Sequence, residues 1–286
     1  MIKFKNENAT LIVDFDGNKL QNCESICNTL RRILLCDITS YAFNSKNTSI
    51  DENTSILNND IIKHRLELFP IQSFDEKNDK SINSVLFLNK ENETNENIDV
   101  TSNDFIIKIN EKRNDKIFKS LEDPIILCHL RPGQKVQLTS QLESGTAKEH
   151  DMYSVCHSYF SETNNIYSLY IEPNGIYTSK ELFKFACNIY IEKLNSLNEL
   201  ISKNEDSDKN IIDIIINDGN YTIAYLFVLH IQQLDETKYA ACNLPHLSEN
   251  NIRINIILKN NNTIKDICNK VILKIQNLFK SFIKNM

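Results

Sequence analysis

Three clusters in this sequence hold side chains able to do chemistry. Lys148-Glu149-His150 sets an ammonium, a carboxylate and an imidazole side by side, the residue types that general acid/base catalysis uses. His64-Arg65 places a second imidazole beside a guanidinium. Cys23 and Cys27, four residues apart, can face one way on a helix as metal ligands do. Each cluster lacks what would complete it. No strained nucleophile turn or glycine-rich phosphate loop accompanies the histidines, and no second cysteine pair closes a tetrahedral site. His64 and Arg65 therefore fit a structural or interface role better than catalysis. No catalytic, cofactor-binding or metal-binding residue is expected.

The elements that must position these groups can be read from periodicity. Ile2 to Phe15 alternates apolar and polar residues and ends in Asp16-Gly17, which predicts a strand running into a turn. From Asn22 to Cys36, Ile26, Leu30, Ile33 and Leu34 recur at helical spacing, with Arg31 and Arg32 away from the stripe. Taken alone, those arginines read as a solvated face. A second helix is predicted over 58–69 on Ile61, Ile62, Leu66 and Phe69, stopped by Pro70. Asp75 to Asp104, with eight acids against three lysines, reads as an inserted, partly mobile segment. Strands are expected on either side of the Arg131-Pro-Gly-Gln134 turn and over Tyr167–Glu172. Thr178 then opens a long helix whose stripe is Leu182, Phe185, Ile189, Leu194, Leu197 and Ile201. After the polar stretch 202–210, a strand (211–216), a helix to about Leu234, a turn over 239–247, a strand (251–258) and a last helix from Thr263 follow.

Composition bounds the function. The chain has 286 residues, 41% hydrophobic and 24% charged, an ordinary globular balance that needs no metal or disulfide to build a core. Its net charge of −6 argues against a surface devoted to nucleic acid. The six lysines after Ile257 read as a solvated face, since no aromatics interleave them. The N-terminal residues form no signal peptide and no apolar run approaches a membrane span, so a cytosolic or nuclear protein with eight free or core cysteines is expected.

Two distant strings, Asn28-Thr-Leu-Arg-Arg-Ile-Leu-Leu35 and Gly145-Thr-Ala-Lys-Glu-His150, resemble signatures of the dimerising subunits of multisubunit RNA polymerases. These are the bacterial alpha N-terminal domain, archaeal subunits D and L, and the third-largest and eleventh subunits of eukaryotic polymerase II. A third string, from Thr54-Ser55 to His64-Arg-Leu-Glu-Leu-Phe-Pro70, is similar to the family's Thr-Ser to His-Arg-Leu-Gly-Leu-Ile-Pro segment, with Glu67 and Phe69 as departures. The last 76 residues resemble the small partner subunit fused to the same chain, through Thr222-Ile223 and Pro245-His246, although Ala224 and Tyr225 replace the usual Gly-Asn.

The resemblance implies an α+β fold in which two alpha-like dimerisation modules form an intramolecular pseudo-dimer. The first module would be 1–70 with 150–202, interrupted by a β-rich insertion over 71–149; 203–210 would be a linker and 211–286 the second module. It implies a non-catalytic assembly platform of a DNA-directed RNA polymerase. The interface residues would be Arg31, Arg32, His64, Arg65, Lys148, Glu149 and His150. The largest and second-largest subunits would be partners, with small subunits besides, and nucleic acid would be met only through the complex. Relatives' metal-binding cysteines have no counterpart between Cys36 and Cys128, which implies a metal-free insertion. Fusion of the two halves resembles large DNA viruses, implying a viral factory in host cytoplasm and the virion; otherwise nucleus or cytoplasm. The rivals are a regulatory module outside a polymerase, and an acid/base enzyme using His150 with Glu149, or His64.

Overall fold

The alternation that begins at Ile2 does not run as one strand. In the computed structural model it doubles back at Asn8, which takes a left-handed φ of 55°, so β1 (Ile2–Glu7) pairs antiparallel with β2 (Thr10–Asp16). Asparagine tolerates that conformation and so marks a turn without glycine. The structure describes residues 2–71, 84–109, 112–113, 118, 124–203, 211–216, 221–245, 251–259 and 264–286. The chain forms two compact units, one of 1–37, 157–172 and 179–286, the other of 38–156 and 173–178. These boundaries fall at 38 and 156, where the sequence reading sets the insertion at 71 and 149.

In the first unit, α1 (Cys23–Cys36) buries Ile26, Leu30, Ile33 and Leu34 as its spacing predicts, and Cys23 and Cys27 with them. Glu24 in the first turn meets the positive end of the helix dipole.

The second unit opens with β3 (Thr39–Phe43) and β4 (Ser49–Asn53), followed by α2 (Asn59–Glu67). The Asn58 side chain caps that helix by accepting from Ile61 N at 2.8 Å. Ile62, Leu66 and Phe69 are buried, whereas Ile61, expected on the stripe, is 45% exposed. Next come β5 (Ser84–Glu91), β6 (Ile98–Thr101), β7 (Ile106–Ile109), β8 (Lys112–Arg113), β9 (Ile126–Leu130), β10 (Lys135–Ser140) and β11 (Leu142–Thr146). A five-stranded antiparallel sheet has the order β4-β10-β5-β7-β8, and two short ladders join β11 to β3 and β6 to β9. Phe69 meets Phe105 and Phe118 edge to face at 5.8 and 5.7 Å in the core. Gly133, with φ 75°, completes the Arg131-Pro-Gly-Gln134 turn, closed by Gln134 N to Arg131 O at 3.0 Å.

The expectation of a partly mobile segment over 75–104 is corrected for its described part. Residues 75–83 lie outside the described residues, but β5 is the middle strand of the sheet, with Leu86 and Leu88 fully buried. The asparagines that suggest low complexity do structural work there. Asn92, fully buried, donates to Glu96 O at 2.7 Å and Leu130 O at 2.9 Å and accepts from Thr94 N at 2.9 Å, replacing missing backbone partners.

The chain returns to the first unit through β12 (Cys156–Thr163) and β13 (Ile166–Pro173). Asn164 and Asn165 join them with φ of 52° and 61°, the two left-handed residues of a type I′ hairpin turn. The sheet order is β1-β2-β13-β12. Gly17 N donates to Asn165 O at 2.9 Å, and a Cβ at Gly17 would lie 2.7 Å from that same backbone oxygen, so only glycine fits.

Helix α3 (Ser179–Lys203) extends into the stretch expected as a linker, and residues 204–210 lie outside the described residues. Its buried face is Leu182, Phe183, Ala186, Cys187, Tyr190, Leu194, Leu197 and Ile201. Phe185, expected on that face, is 37% exposed. Two small side chains, Ala186 and Cys187, carry the stripe through its middle, where a search for large apolar residues rotates it.

Then follow β14 (Ile211–Ile216), α4 (Tyr221–Gln232), β15 (Thr237–Asn243), β16 (Ile252–Leu258) and α5 (Ile264–Lys284), with sheet order β14-β16-β15. The turn expected over 239–247 is corrected. Residues 237–243 form β15, paired with β16 and burying Ala240, while His246 lies outside the described residues.

Within the first unit, α1 packs on α3 and α4, and α5 packs on α3 and α4. Tyr190 lies 4.6 Å from Phe279 ring to ring, and Phe15 meets Phe282 at 5.6 Å. Gln276 Nε2 donates to Asn195 Oδ1 at 2.6 Å, and Gln233 Nε2 donates to Asn22 Oδ1 at 2.9 Å. Lys193 pairs with Asp37 at 2.8 Å, tying α3 to the end of α1. No described helix is long and apolar enough to cross a membrane.

One buried group gives this unit a pH dependence. His230 donates through Nδ1 to Leu226 O at 2.8 Å within α4. Burial lowers its pKa below the ordinary 6.5, the Leu226 carbonyl opposes that, and the nearby Lys274 charge adds to it. The unfolded imidazole therefore takes up a proton at pH values where the folded one stays neutral. Stability is complete above 6.5 and falls as pH drops below it, levelling once the folded form is protonated. Melting temperature measured from neutral pH to about pH 5 should drop less in His230→Gln than in the unsubstituted chain.

Candidate subunit-docking site

The residues expected at an interface divide between the two units. Arg31 and Arg32 sit on α1 in the first; His64, Arg65, Lys148, Glu149 and His150 are in the second. On α1 the two arginines follow Leu30 and precede Ile33, so the helix turns its apolar stripe inward and carries the guanidinium groups off it. Arg31 is half-buried and donates from Nη2 to Asn28 Oδ1 at 2.8 Å, one turn back. Arg32 is exposed and makes no ion pair or hydrogen bond among the described residues.

On α2, His64 is exposed and without a hydrogen-bond partner among the described residues. Arg65 Nη1 donates to Leu127 O at 2.7 Å, which fastens the helix to β9. Glu67, one of the departures from the family string, is buried and accepts from Ser45 N at 2.9 Å. The substitution is thus built in as a helix-to-loop bond.

The 145–150 loop is shaped by its own side chains. Gly145 pairs with Ser40 in the β11–β3 ladder, and a Cβ there would lie 2.4 Å from the ring of Tyr153. That ring is buried, and burial pushes its phenol up to about 12. Glu149 accepts from Thr146 N at 3.0 Å while Glu149 N donates to Thr146 O at 2.9 Å. His150 Nδ1 accepts from Met152 N at 3.2 Å and caps the short turn Asp151–Tyr153, which puts the ring proton on Nε2. The carboxylate and imidazole that suggest proton transfer are therefore engaged in holding the loop. Lys148 is left exposed at its crest, with no ion pair among the described residues. Gly145→Ala should force Tyr153 out of register and cost about 1–3 kcal/mol, read as a lower denaturation midpoint.

Sequence reasoning overlooked the residues behind this loop. Glu143 accepts from Asn44 Nδ2 at 2.7 Å and Asn47 Nδ2 at 3.3 Å, and Ser40 Oγ donates to Tyr153 O at 2.8 Å. The contacts span about a hundred residues in sequence, so no local pattern announces them.

The cysteines are all free thiols. Burial pushes Cys23 up to about 11 and Cys27 higher still, which disfavours the thiolates a metal would need. Among the described residues no three histidines, cysteines or acids are grouped as metal ligands.

The family model of the RNA polymerase Rpb3/Rpb11 dimerisation domain matches residues 24–194, more than half of the chain. This chain belongs to the Rpb3/Rpb11 dimerisation family. The matched span takes in α1, α2, the 145–150 loop and most of α3. A protein of Acanthamoeba polyphaga mimivirus, provisionally named DNA directed RNA polymerase subunit R470, is 23% identical over 84% of this chain and 80% of its own length. The archaeal DNA-directed RNA polymerase subunit Rpo3 of Methanocaldococcus jannaschii is 25% identical over 68% of this chain and 95% of its own. A Tetrahymena thermophila protein named conjugation stage-specific is 31% identical over 62% of this chain and 65% of its own. The Rpb3/Rpb11 family member described here is a mixed α/β protein, and its site geometry assembles no nucleophile with a base among the described residues.

Proposed function

We propose that the chain is a non-catalytic assembly subunit of a DNA-directed RNA polymerase, and that it holds the two large catalytic subunits. Residues 1–70 with 150–202 act as one dimerisation module, 211–286 as its partner, and 71–149 as an insertion. The two modules make an intramolecular pseudo-dimer, so that the usual bimolecular step becomes local and gains in effective concentration. The observation that carries this is Tyr190 of α3, buried against Phe279 of α5: the helix that closes the family-matched span is sealed by the last helix of the same chain. Gln276 to Asn195 and Gln233 to Asn22 add polar registration across the same halves.

Arg31 and Arg32 on α1, His64 and Arg65 on α2, and Lys148, Glu149 and His150 in the loop are the docking residues. Exposed Arg32, His64 and Lys148 supply the contacts, while Glu149, His150 and Arg65 hold their segments in shape. The mimivirus relative supports a viral polymerase that works in the host cytoplasm and travels in the virion. Co-expression with the two largest polymerase subunits of the same source tests the assignment. A ternary complex that forms only when this chain is present is the expected result; pairing of the large subunits without it would refute the scaffold role.

A further inference from the structure

Helix α5 buries Ile267, Val271, Ile275, Phe279 and Phe282 on one side. On the other side Lys270, Lys274, Lys280 and Lys284 are all exposed. Their spacing gathers them within about a third of the helix circumference, along about 21 Å of its axis. None of the four forms an ion pair among the described residues. The helix carries one acid, Asp266, in its first turn.

Asp266 in the first turn and Lys284 in the last complement the helix dipole, but between them the stripe carries one sign only. Solvated helices intersperse signs, because i,i+4 pairs of opposite charge stabilise and like pairs destabilise. Helix α3 does so with Glu199 and Lys203 at 3.9 Å. In α5, Lys270/Lys274 and Lys280/Lys284 are like-charge i,i+4 pairs, kept in a chain whose net charge is −6. A polyanion lying along the helix would convert that repulsion into attraction. Over about 21 Å a duplex offers on the order of twelve phosphates, ample for four ammonium groups.

We propose that the outer face of α5 is a sequence-independent docking surface for the phosphate backbone of duplex DNA. The choice of duplex DNA rests on the polymerase assignment; the basic stripe does not. With no aromatic side chain on the stripe, bases are not read and contacts are to phosphate alone.

The test is anisotropy of a fluorescent 30-base-pair duplex, titrated with the full-length chain across a salt series. Four phosphate contacts give a log–log salt slope of about −3.6, so a fourfold rise in salt should weaken binding by roughly two orders of magnitude. Lys270→Gln/Lys274→Gln/Lys280→Gln/Lys284→Gln should flatten that slope and lose at least about tenfold in affinity at low salt. A control carrying the same charge change on exposed lysines elsewhere, Lys3→Gln/Lys108→Gln/Lys180→Gln/Lys238→Gln, should keep most of it. Equal loss in both variants, no binding of the duplex, or binding of polyglutamate in its place would overturn the proposal. Because the assay needs no other subunit, its failure leaves the assembly role standing, and failed assembly leaves the DNA result readable.

Discussion

Arg31→Glu/Arg32→Glu is expected to abolish recovery of the two large subunits while leaving the chain folded. Reversing two guanidinium groups at a charged interface sets like charges against the partner, a penalty of about 2–5 kcal/mol, or roughly thirtyfold or more in affinity. The fold has little to lose. Arg32 is exposed and, among the described residues, Arg31 bonds only to Asn28 of its own helix, so the melting temperature should stay within a few degrees. Pull-down from cells co-expressing the large subunits, beside circular dichroism of the purified variant, separates the two effects. Normal assembly of a folded double variant would show that α1 does not carry the docking face.

The second large effect belongs to Tyr190. Tyr190→Ala should cost about 3–5 kcal/mol, because it removes a fully buried ring at the α3–α5 contact and leaves a cavity against Phe279. Tyr190→Phe should do the opposite of what loss of a hydroxyl usually does. The Tyr190 oxygen is buried with no hydrogen-bond partner among the described residues, and burial raises its pKa far above the ordinary 10. Deleting it removes an unmet desolvation cost and should leave stability unchanged or raise it by about 1–2 kcal/mol. Urea midpoints at constant slope read both changes. A clear loss of stability in Tyr190→Phe would mean that the hydroxyl has a partner.

How far the fold was legible depended on whether local pattern and long-range contact agreed. Helices α1, α2 and α5 were readable because their stripes are made of large apolar residues, and α2 also because Pro70 stops it. The β1–β2 hairpin was missed because its turn is Asn8-Ala9, and β12 because Asn164-Asn165 lacks glycine. Both turns use left-handed asparagines, a signal that this Asn-rich composition hides. Strand β15 was missed because Ala240, Ala241 and Cys242 are weak strand formers, and pairing with β16 decides the matter.

The candidate site was legible in a different way. Nothing in the spacing of Gly145 to His150 distinguishes a proton-transfer cluster from a structural loop; the family strings pointed to the loop. What Glu149 and His150 do there became visible only with the backbone N–H groups of Thr146 and Met152 in place. The need for glycine at 145 likewise comes from Tyr153, a neighbour in space that no local motif specifies.

The central claim is that this chain exists to hold a polymerase together. Affinity purification of the tagged chain from its native cells at high salt, with identification of every co-purifying polypeptide, tests it most directly. The account predicts recovery of two large subunits and templated RNA synthesis by the eluate. Recovery of the chain alone, folded and monomeric, would contradict it.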